Sequence, residues 1–249
     1  MTHARKLAVM SLTTLFESAT LAVVNKPAGM ATLHVPHSSL ASLAAQLQPW
    51  RPVHRLDNAT SGVVLLAKTD AAYATLRALF DEHHMTKEYL ALAHGITPRE
   101  QTLGLPIAHH PKKSAQMIAV TSPSVAHRST PQPAQTHIET LQHFFPDAHR
   151  RDPFSLVRTR ITTGVRHQIR VHLAQCGHPI VGDQQYGARP PPWCTRHLLH
   201  AYRLAFVDPL TKQSIDIVAP FGTDFVELSH RCGVDLPAEF TPAASDRIA

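Results

Sequence analysis

The segment Gly62-Val-Val-Leu-Leu-Ala67 carries six residues without one polar side chain. Six residues is the length of a strand, and an uninterrupted apolar run of that length predicts burial on both faces, inside a covered sheet. Directly before it stands a run of opposite character, Val53-His-Arg-Leu-Asp-Asn-Ala-Thr-Ser-Gly62. Polar and charged residues leading into a buried strand are held at the mouth of a sheet, where a rigid scaffold can orient them.

Other elements gather around this strand. Segment 20–26 is β-branched and apolar and is halted by Pro27 and Gly29, so it reads as a strand entering a turn. Ser38 or Ser39 is placed to cap a short helix carrying Leu40, Leu43, Ala44 and Leu47, closed by Pro49. Asp70 opens a helix whose apolar stripe is Ala72, Leu76, Leu79, Phe80 and His83. Residues 86–93 return as a strand with Tyr89, Ala91 and Ala93 on one face and Leu90 and Leu92 on the other.

Residues 95–135 differ in texture. Six prolines, with His109, His110, Lys112 and Lys113, describe a long, partly extended, basic excursion. Strands resume at 136–141 and 155–161, and a helix is expected from about Val165 to Cys176, stopped at Gly177. Two further strands, 198–207 and 214–218, flank an Asp208-Pro209 turn. Beyond about Leu236 the chain is rich in Pro and Ala and is expected to fray.

Hydrophobic residues make up 43% of the 249 and charged ones 17%, the balance of a globular chain rather than a disordered one. A net charge of +6 suits a polyanionic partner without selecting one, because the same charge also serves solubility. Cys176, Cys194 and Cys232 are odd in number and widely spaced, which points to neither a disulfide framework nor a zinc ribbon. Reduced thiols and a cytoplasmic setting are the expectation. No apolar run reaches the ~20 residues of a membrane span. Arg5-Lys6 followed by Leu7-Ala-Val-Met-Ser-Leu12 imitates a signal peptide but lacks a cleavage site.

Two clusters can carry chemistry. Asp57, between His54, Arg55 and Thr60, reads either as a carboxylate held for catalysis or as an Asx-turn residue bonding its own downstream amides. Arg158 and Arg160 share one side of a strand, and Arg166 and Arg170 share a helix face, with His167 and Gln168 between them. Guanidiniums brought together need a negative partner, such as a phosphate or a buried aspartate; a solvated basic face is the other reading.

Both clusters resemble one family. His54-Arg-Leu-Asp-x-x-Thr-Ser-Gly62 is similar to the signature of the RluA-type pseudouridine synthases. Asn25-Lys-Pro-Ala-Gly29 resembles the family's first turn, and Lys87-Glu-Tyr89 before Gly95 the segment with its active-site tyrosine. His167-Gln-Ile-Arg-Val-His172, then Gly177-His-Pro-Ile-Val-Gly-Asp183 and Tyr186-Gly187, resemble the third motif. Leu199-His-Ala201 and Asp208-Pro209 resemble the last strand pair. The motifs keep the family's order from Asn25 to Pro220. One departs from it: the family's Gly-Arg-Thr/Ser-His-Gln is here Gly164-Val165-Arg166-His167-Gln168, with the arginine moved by one place.

The resemblance implies an α+β fold, a single catalytic domain with a mixed, mainly antiparallel sheet flanked by helices and loops. Its bounds are 19–235, after an N-terminal extension, 1–18, and before a flexible tail, 236–249. No separate RNA-binding domain precedes it. The implied reaction breaks the C1′–N1 bond of a uridine in ribosomal or transfer RNA, turns the uracil and rejoins it through C5, without cofactor or metal. Asp57 is then the nucleophile, Arg170 its basic partner, and Tyr89 the ring that stacks on uracil and relays a proton. Arg55, His54, Thr60, Arg166, His167, Gln168, Lys112 and Lys113 are the expected contacts to the uridine and RNA. The implied protein is a monomer. Two rivals are weighed against this. A metal-dependent hydrolase is suggested by 19 histidines but lacks any paired ligand spacing. A ribosome-assembly or RNA-binding protein of the same fold, catalytically weak or inactive, is supported only by the displaced arginine.

Overall fold

The computed structural model describes residues 12–34, 38, 40–145, 153–187 and 193–240. Twelve strands are present: β1 (Thr13–Glu17), β2 (Leu21–Lys26), β3 (Arg51–Pro52), β4 (Ser61–Ala67), β5 (Thr86–His94), β6 (Glu100–Leu103), β7 (Ile107–His109), β8 (Met117–Ala119), β9 (Thr136–Phe144), β10 (Phe154–Ile161), β11 (Leu199–Val207) and β12 (Ser214–Val218). Among the described residues four α-helices accompany them: α1 (Leu43–Gln46), α2 (Asp70–Asp81), α3 (Gln168–Gln175) and α4 (Thr223–Arg231). Ten strands form one sheet in the order β1-β2-β4-β11-β5-β10-β9-β6, with β12 against β11 and β3 against β4; β7 and β8 form a separate hairpin. The fold is α+β and mainly antiparallel, as the resemblance implied.

The exception to antiparallel pairing lies at the centre. β4 and β11 run parallel and pair only through Ser61 with His200 and Gly62 with Ala201. Beyond that, β11 leaves β4 and takes β12 as its neighbour. The sheet therefore divides at a two-residue seam. Gly62 permits the close approach: a Cβ there would stand 2.2 Å from the carbonyl oxygen of Ala201, and the backbone has φ +114°. Tyr89 pairs with Ala201 from the other side, on the same line across the sheet.

All seven residues of β4 are buried. Val63 and Leu65 pack with Leu76 of α2, while Val64 and Leu66 face Met30, Leu43 and Leu56. β5 alternates in the same way, Ala91 and Ala93 meeting Ile169 and Leu173 of α3, and Leu90 and Leu92 meeting Phe225 and Leu228 of α4. Both faces are covered, which is why neither strand alternates polar with apolar residues.

Several boundaries differ from expectation. Residues 13–17, expected to belong to an extension, are the edge strand β1, half-exposed and so lacking a strong apolar signal. α1 is capped by Ser42 rather than Ser38, and Ser39 lies outside the described residues. α2 ends before His83, which is exposed at φ 60° instead of extending the apolar stripe. α3 starts at Gln168, because His167 takes a left-handed conformation that no helix continues. Helix α4 was not foreseen at all. Residues 236–240, expected to belong to the tail, reach back into the core, where Leu236 and Phe240 are buried with Phe221; the rest of the expected tail lies outside the described residues. The 95–135 excursion is ordered in part: β6 joins the main sheet, and β7–β8 seats Ile107, Met117 and Ala119 against Val171 of α3.

Candidate active site

The loop between β3 and β4 is held from three directions. Thr32 brackets Leu56 through its hydroxyl, accepting from Leu56 N at 3.1 Å and donating to Leu56 O at 3.0 Å. Gly29 N donates to Asn58 O at 2.8 Å. Lys26, fully buried, donates from Nζ to the carbonyls of Met30 (2.8 Å), Pro27 (3.0 Å) and Asn58 (3.3 Å). Thr60 Oγ1 lies 2.8 Å from His197 Nε2, and Ser61 Oγ 2.9 Å from His200 Nδ1. The Asx-turn reading fails here: Thr60 N bonds the backbone carbonyl of Asp57, which leaves the carboxylate free to face elsewhere.

It faces Arg170. Arg170 Nη1 donates to Asp57 Oδ2 at 2.8 Å, while Nε and Nη2 form a fork on Asp183 at 2.7 and 2.9 Å. Nη2 also reaches Gln185 Oε1 at 2.8 Å. Asp183 Oδ1 accepts in addition from the amides of Gln185 (3.0 Å) and Tyr186 (3.2 Å). A guanidinium buried between two carboxylates is fixed in position and in charge. Burial alone would raise the carboxyl of Asp57. The charges of His167 (when protonated) and Arg170, with the Arg170 hydrogen bond, overcome it and hold the pKa below the usual value. Burial brings the His167 pKa down to about 4, against the pull of Asp57, so at neutral pH Arg170 supplies the positive charge.

Asp57 borders two cavities. The larger, about 540 Å³, is walled by Tyr89, His54, Phe80, Lys87 and Val165 and is the more apolar. The smaller, about 330 Å³, is polar and is walled by Asn58, Gln184, Gln185 and His197. Arg55, Arg166, His167 and Arg170 border both. A half-enclosed apolar cavity with a few convergent polar groups has the form of a small-molecule or base pocket. The Tyr89 hydroxyl is held protonated, its pKa raised by burial and then by Asp57. The ring can donate and stack, but it does not take up a proton as phenolate.

The other expected contacts divide. Arg55 is exposed and has no hydrogen bond or ion pair among the described residues. Arg166 is exposed, and its guanidinium donates to Ala115 O at 3.3 Å, so it does not take the place of an arginine on Asp57. Val165 packs with the β7–β8 cluster. His54 lines the large cavity, but its Nε2 accepts from Leu65 N at 3.1 Å and its ring stacks on Phe80 at 4.6 Å; burial keeps it neutral, with a pKa of about 3. Gln168 is fully committed. Its Oε1 accepts from Thr163 Oγ1 and Val165 N, and its Nε2 donates to Gln135 O and Thr136 Oγ1. Thr60 is likewise buried on His197. Lys112 and Lys113 are exposed on the β7–β8 turn and border neither cavity.

Arg158 and Arg160 are not part of the site. They pair with Glu139 (3.4 Å) and Glu88 (2.7 Å), carboxylates supplied by β9 and β5, so the four-arginine cluster read from the sequence separates into two. Asp183, Tyr186, Gln185, His197 and Lys26 carry site geometry without having been assigned a role. Lys26, Asp183 and Tyr186 lie within segments that resembled family motifs, and Gln185 lies between two of them. His197 carried no sequence signal.

The family described as RNA pseudouridylate synthase matches residues 20–175, more than half of the chain. The ribosomal large subunit pseudouridine synthase D of Pasteurella multocida is 33% identical over 242 residues, covering 88% of this chain and 70% of that protein. The protein of the same name from Haemophilus influenzae is 34% identical over 196 residues, 74% of this chain, of which the chain spans just over half the length (56%). The solved structure of human RNA pseudouridylate synthase domain containing 1 superposes with a TM-score of 0.69 at 26% identity, covering 91% of this chain and 97% of that one. The family match, the relatives and the fold agree: the chain belongs to the RNA pseudouridylate synthases, as an enzyme of the RluA type.

Proposed function

We propose that this enzyme converts uridine to pseudouridine in ribosomal RNA, with Asp57 as nucleophile and the 540 Å³ cavity as the uracil pocket. The observation that carries the reading is the ionised Asp57 carboxylate, bonded at 2.8 Å to Arg170 and opening on a cavity walled by Tyr89. A nucleophile must be deprotonated, and Arg170 secures that while leaving Oδ1 without a hydrogen bond among the described residues. In the reaction the C1′–N1 bond breaks and a C1′–C5 bond forms. The C5 proton leaves and N1 gains one, so the balance closes within one base and solvent. Tyr89 stacks on the uracil and keeps its own proton.

A uridine in folded RNA reaches such a cavity only by leaving its stack, at a cost of a few kcal/mol. Arg55 and Arg166, exposed at the rim, are positioned to take the flanking phosphates, and Lys112 and Lys113 on the β7–β8 turn extend the same charge outward. Thr60 and Gln168 serve the pocket by shaping it, since their side-chain polar atoms are already bonded, while His54 uses only Nε2, for Leu65 N, and lines the pocket with its ring. Transfer RNA is a second substrate class for the same cavity, though the ribosomal names of the relatives favour ribosomal RNA. The protein works as a cytoplasmic monomer in this reading; among the described residues no helix is long and apolar enough to cross a membrane.

The test is pseudouridine mapping of ribosomal and transfer RNA from cells with and without the gene, complemented by wild type or Asp57→Asn. One or more ribosomal sites should vanish and return only with wild type. Full restoration by Asp57→Asn, or no site lost, would sink the proposal.

A further inference from the structure

His167 enters a left-handed conformation directly before α3, with its side chain nearly buried. A residue with a Cβ adopts that conformation only under strain, so its placement calls for a reason. Its Nδ1 lies 2.7 Å from the Tyr186 hydroxyl, and its Nε2 lies 3.6 Å from Asp57 Oδ1. Tyr186 in turn accepts from Met117 N at 2.8 Å, at the start of β8, beside a second tie in which Gln116 Nε2 donates to Gln185 O at 3.0 Å.

The direction of every proton along this line can be deduced. A backbone amide only donates, so the Tyr186 oxygen accepts from Met117. The hydroxyl then has one proton, and the acceptor beside it is His167 Nδ1. Were Nδ1 protonated instead, that hydroxyl proton would have no acceptor in the contact, and a bare Nε2 lone pair would face a carboxylate. This arrangement favours the His167 proton on Nε2, turned toward Asp57. A separation of 3.6 Å is too long for a hydrogen bond, and bonds of this kind tighten when substrate is bound.

We propose that Tyr186 and His167 are positioning residues that relay the seating of the β7–β8 hairpin to Asp57, so that contact of the hairpin with RNA draws the His167 Nε2–H onto the nucleophile's Oδ1. Arg170 holds one carboxylate oxygen permanently; His167 holds the other conditionally. The hairpin is built for this coupling, because Met117 and Ile107 pack on Val171, within the helix that His167 opens. Tyr186 also lies 5.0 Å from the Arg170 guanidinium, a contact that a phenyl ring preserves.

The relay rests on the proposed reaction, and two readouts on the full-length chain keep them apart. Nitrogen-15 histidine spectra should show His167 as the single Nε2–H tautomer in the wild type and as a mixture in Tyr186→Phe. A mixture in the wild type overturns the relay whether or not the enzyme turns over. Kinetics on an RNA that the wild type modifies supply the second. Tyr186→Phe should lower kcat about tenfold with KM within about twofold. His167→Gln, whose amide presents a proton without help from Tyr186, should retain kcat within about threefold, and His167→Ala should not. In the His167→Gln background, Tyr186→Phe should then cost less than about twofold. An equal cost in both backgrounds, or a change in KM alone, overturns the relay. A wild type that forms no pseudouridine overturns the proposed function, and the relay falls with it; pseudouridine formed with equal costs in both backgrounds overturns the relay alone.

Discussion

Arg170 and Arg166 stand four residues apart, and the contrast between them is the contrast between the floor of the site and its rim. Arg170 is buried with ties to Asp57, Asp183 and Gln185; Arg166 is exposed and touches one backbone carbonyl. The floor is a closed set of charges whose geometry no ligand needs to create. The rim, with Arg55, is a pair of guanidiniums with no carboxylate partner among the described residues. Pre-organisation suits bond-making, where a displaced atom costs rate, and unpaired charge suits a polyanion that must arrive, be read and leave.

The largest expected effect tests the floor directly. Asp57→Asn keeps the shape and removes the charge, and should lower kcat by at least about 1,000-fold with RNA affinity little changed. Arg170→Met comes next, because it strands Asp57 and Asp183 without their cation. Unfolding in urea should show a loss of roughly 3–5 kcal/mol, and Arg170→Lys should not restore it, lacking the fork that Asp183 requires. The two arginines would prove equivalent, and the distinction void, if Arg170→Met cost no more than Arg166→Met.

A third prediction concerns acid. Burial raises the Asp183 carboxyl, but the Arg170 hydrogen bond and charge hold it below its unfolded value, so its folded pKa is depressed. Such a group contributes stability that is complete above the unfolded pKa and is lost as pH falls through the folded one. Urea midpoints should therefore drop as pH falls below about 4, and Asp183→Asn should flatten that drop. An unchanged acid slope would contradict the floor's electrostatics. The smallest effect belongs to the rim: Arg55→Ala and Arg166→Ala should alter stability by no more than about 0.5 kcal/mol. Each should reduce the slope of log affinity against log salt by about 0.7 for single-stranded RNA. A rim variant that unfolds the protein, or leaves the slope intact, breaks the comparison from the other side.

The same division explains what the sequence disclosed. Buried strands announce themselves, because a strand covered on both faces is apolar along most of its length; β2, β4, β5 and β11 were legible for that reason, although each also buries a polar residue that has a partner. The half-exposed β1 and the amphipathic α4 were not. The four arginines looked alike since their partners are distant in the chain: Glu139 and Glu88 reach Arg158 and Arg160 only through strand pairing. Gln168 looked like a ligand and is instead the fastening of its own turn, a use visible only once Thr163, Val165 and Gln135 are folded around it. His167 breaking the helix could not be read from its type, since histidine is an ordinary helix residue. Asp57 itself needed the ordered motifs, for a polar loop before a strand is equally good at making turns.

The seam between β4 and β11 has a consequence in time. Asp57 is made early, yet its loop runs into a strand whose parallel neighbour begins at Leu199. At ~5–20 residues per second, the intervening chain takes on the order of ten seconds to emerge from a ribosome. Throughout that interval β4 has β2 and β3 but no β11, and Arg170 arrives before Asp183, its permanent counter-ion. The nascent chain therefore holds Asp57 and Arg170 for seconds before the whole sheet exists to join them. The last strand to join β4 is β11, through the pairs Ser61–His200 and Gly62–Ala201.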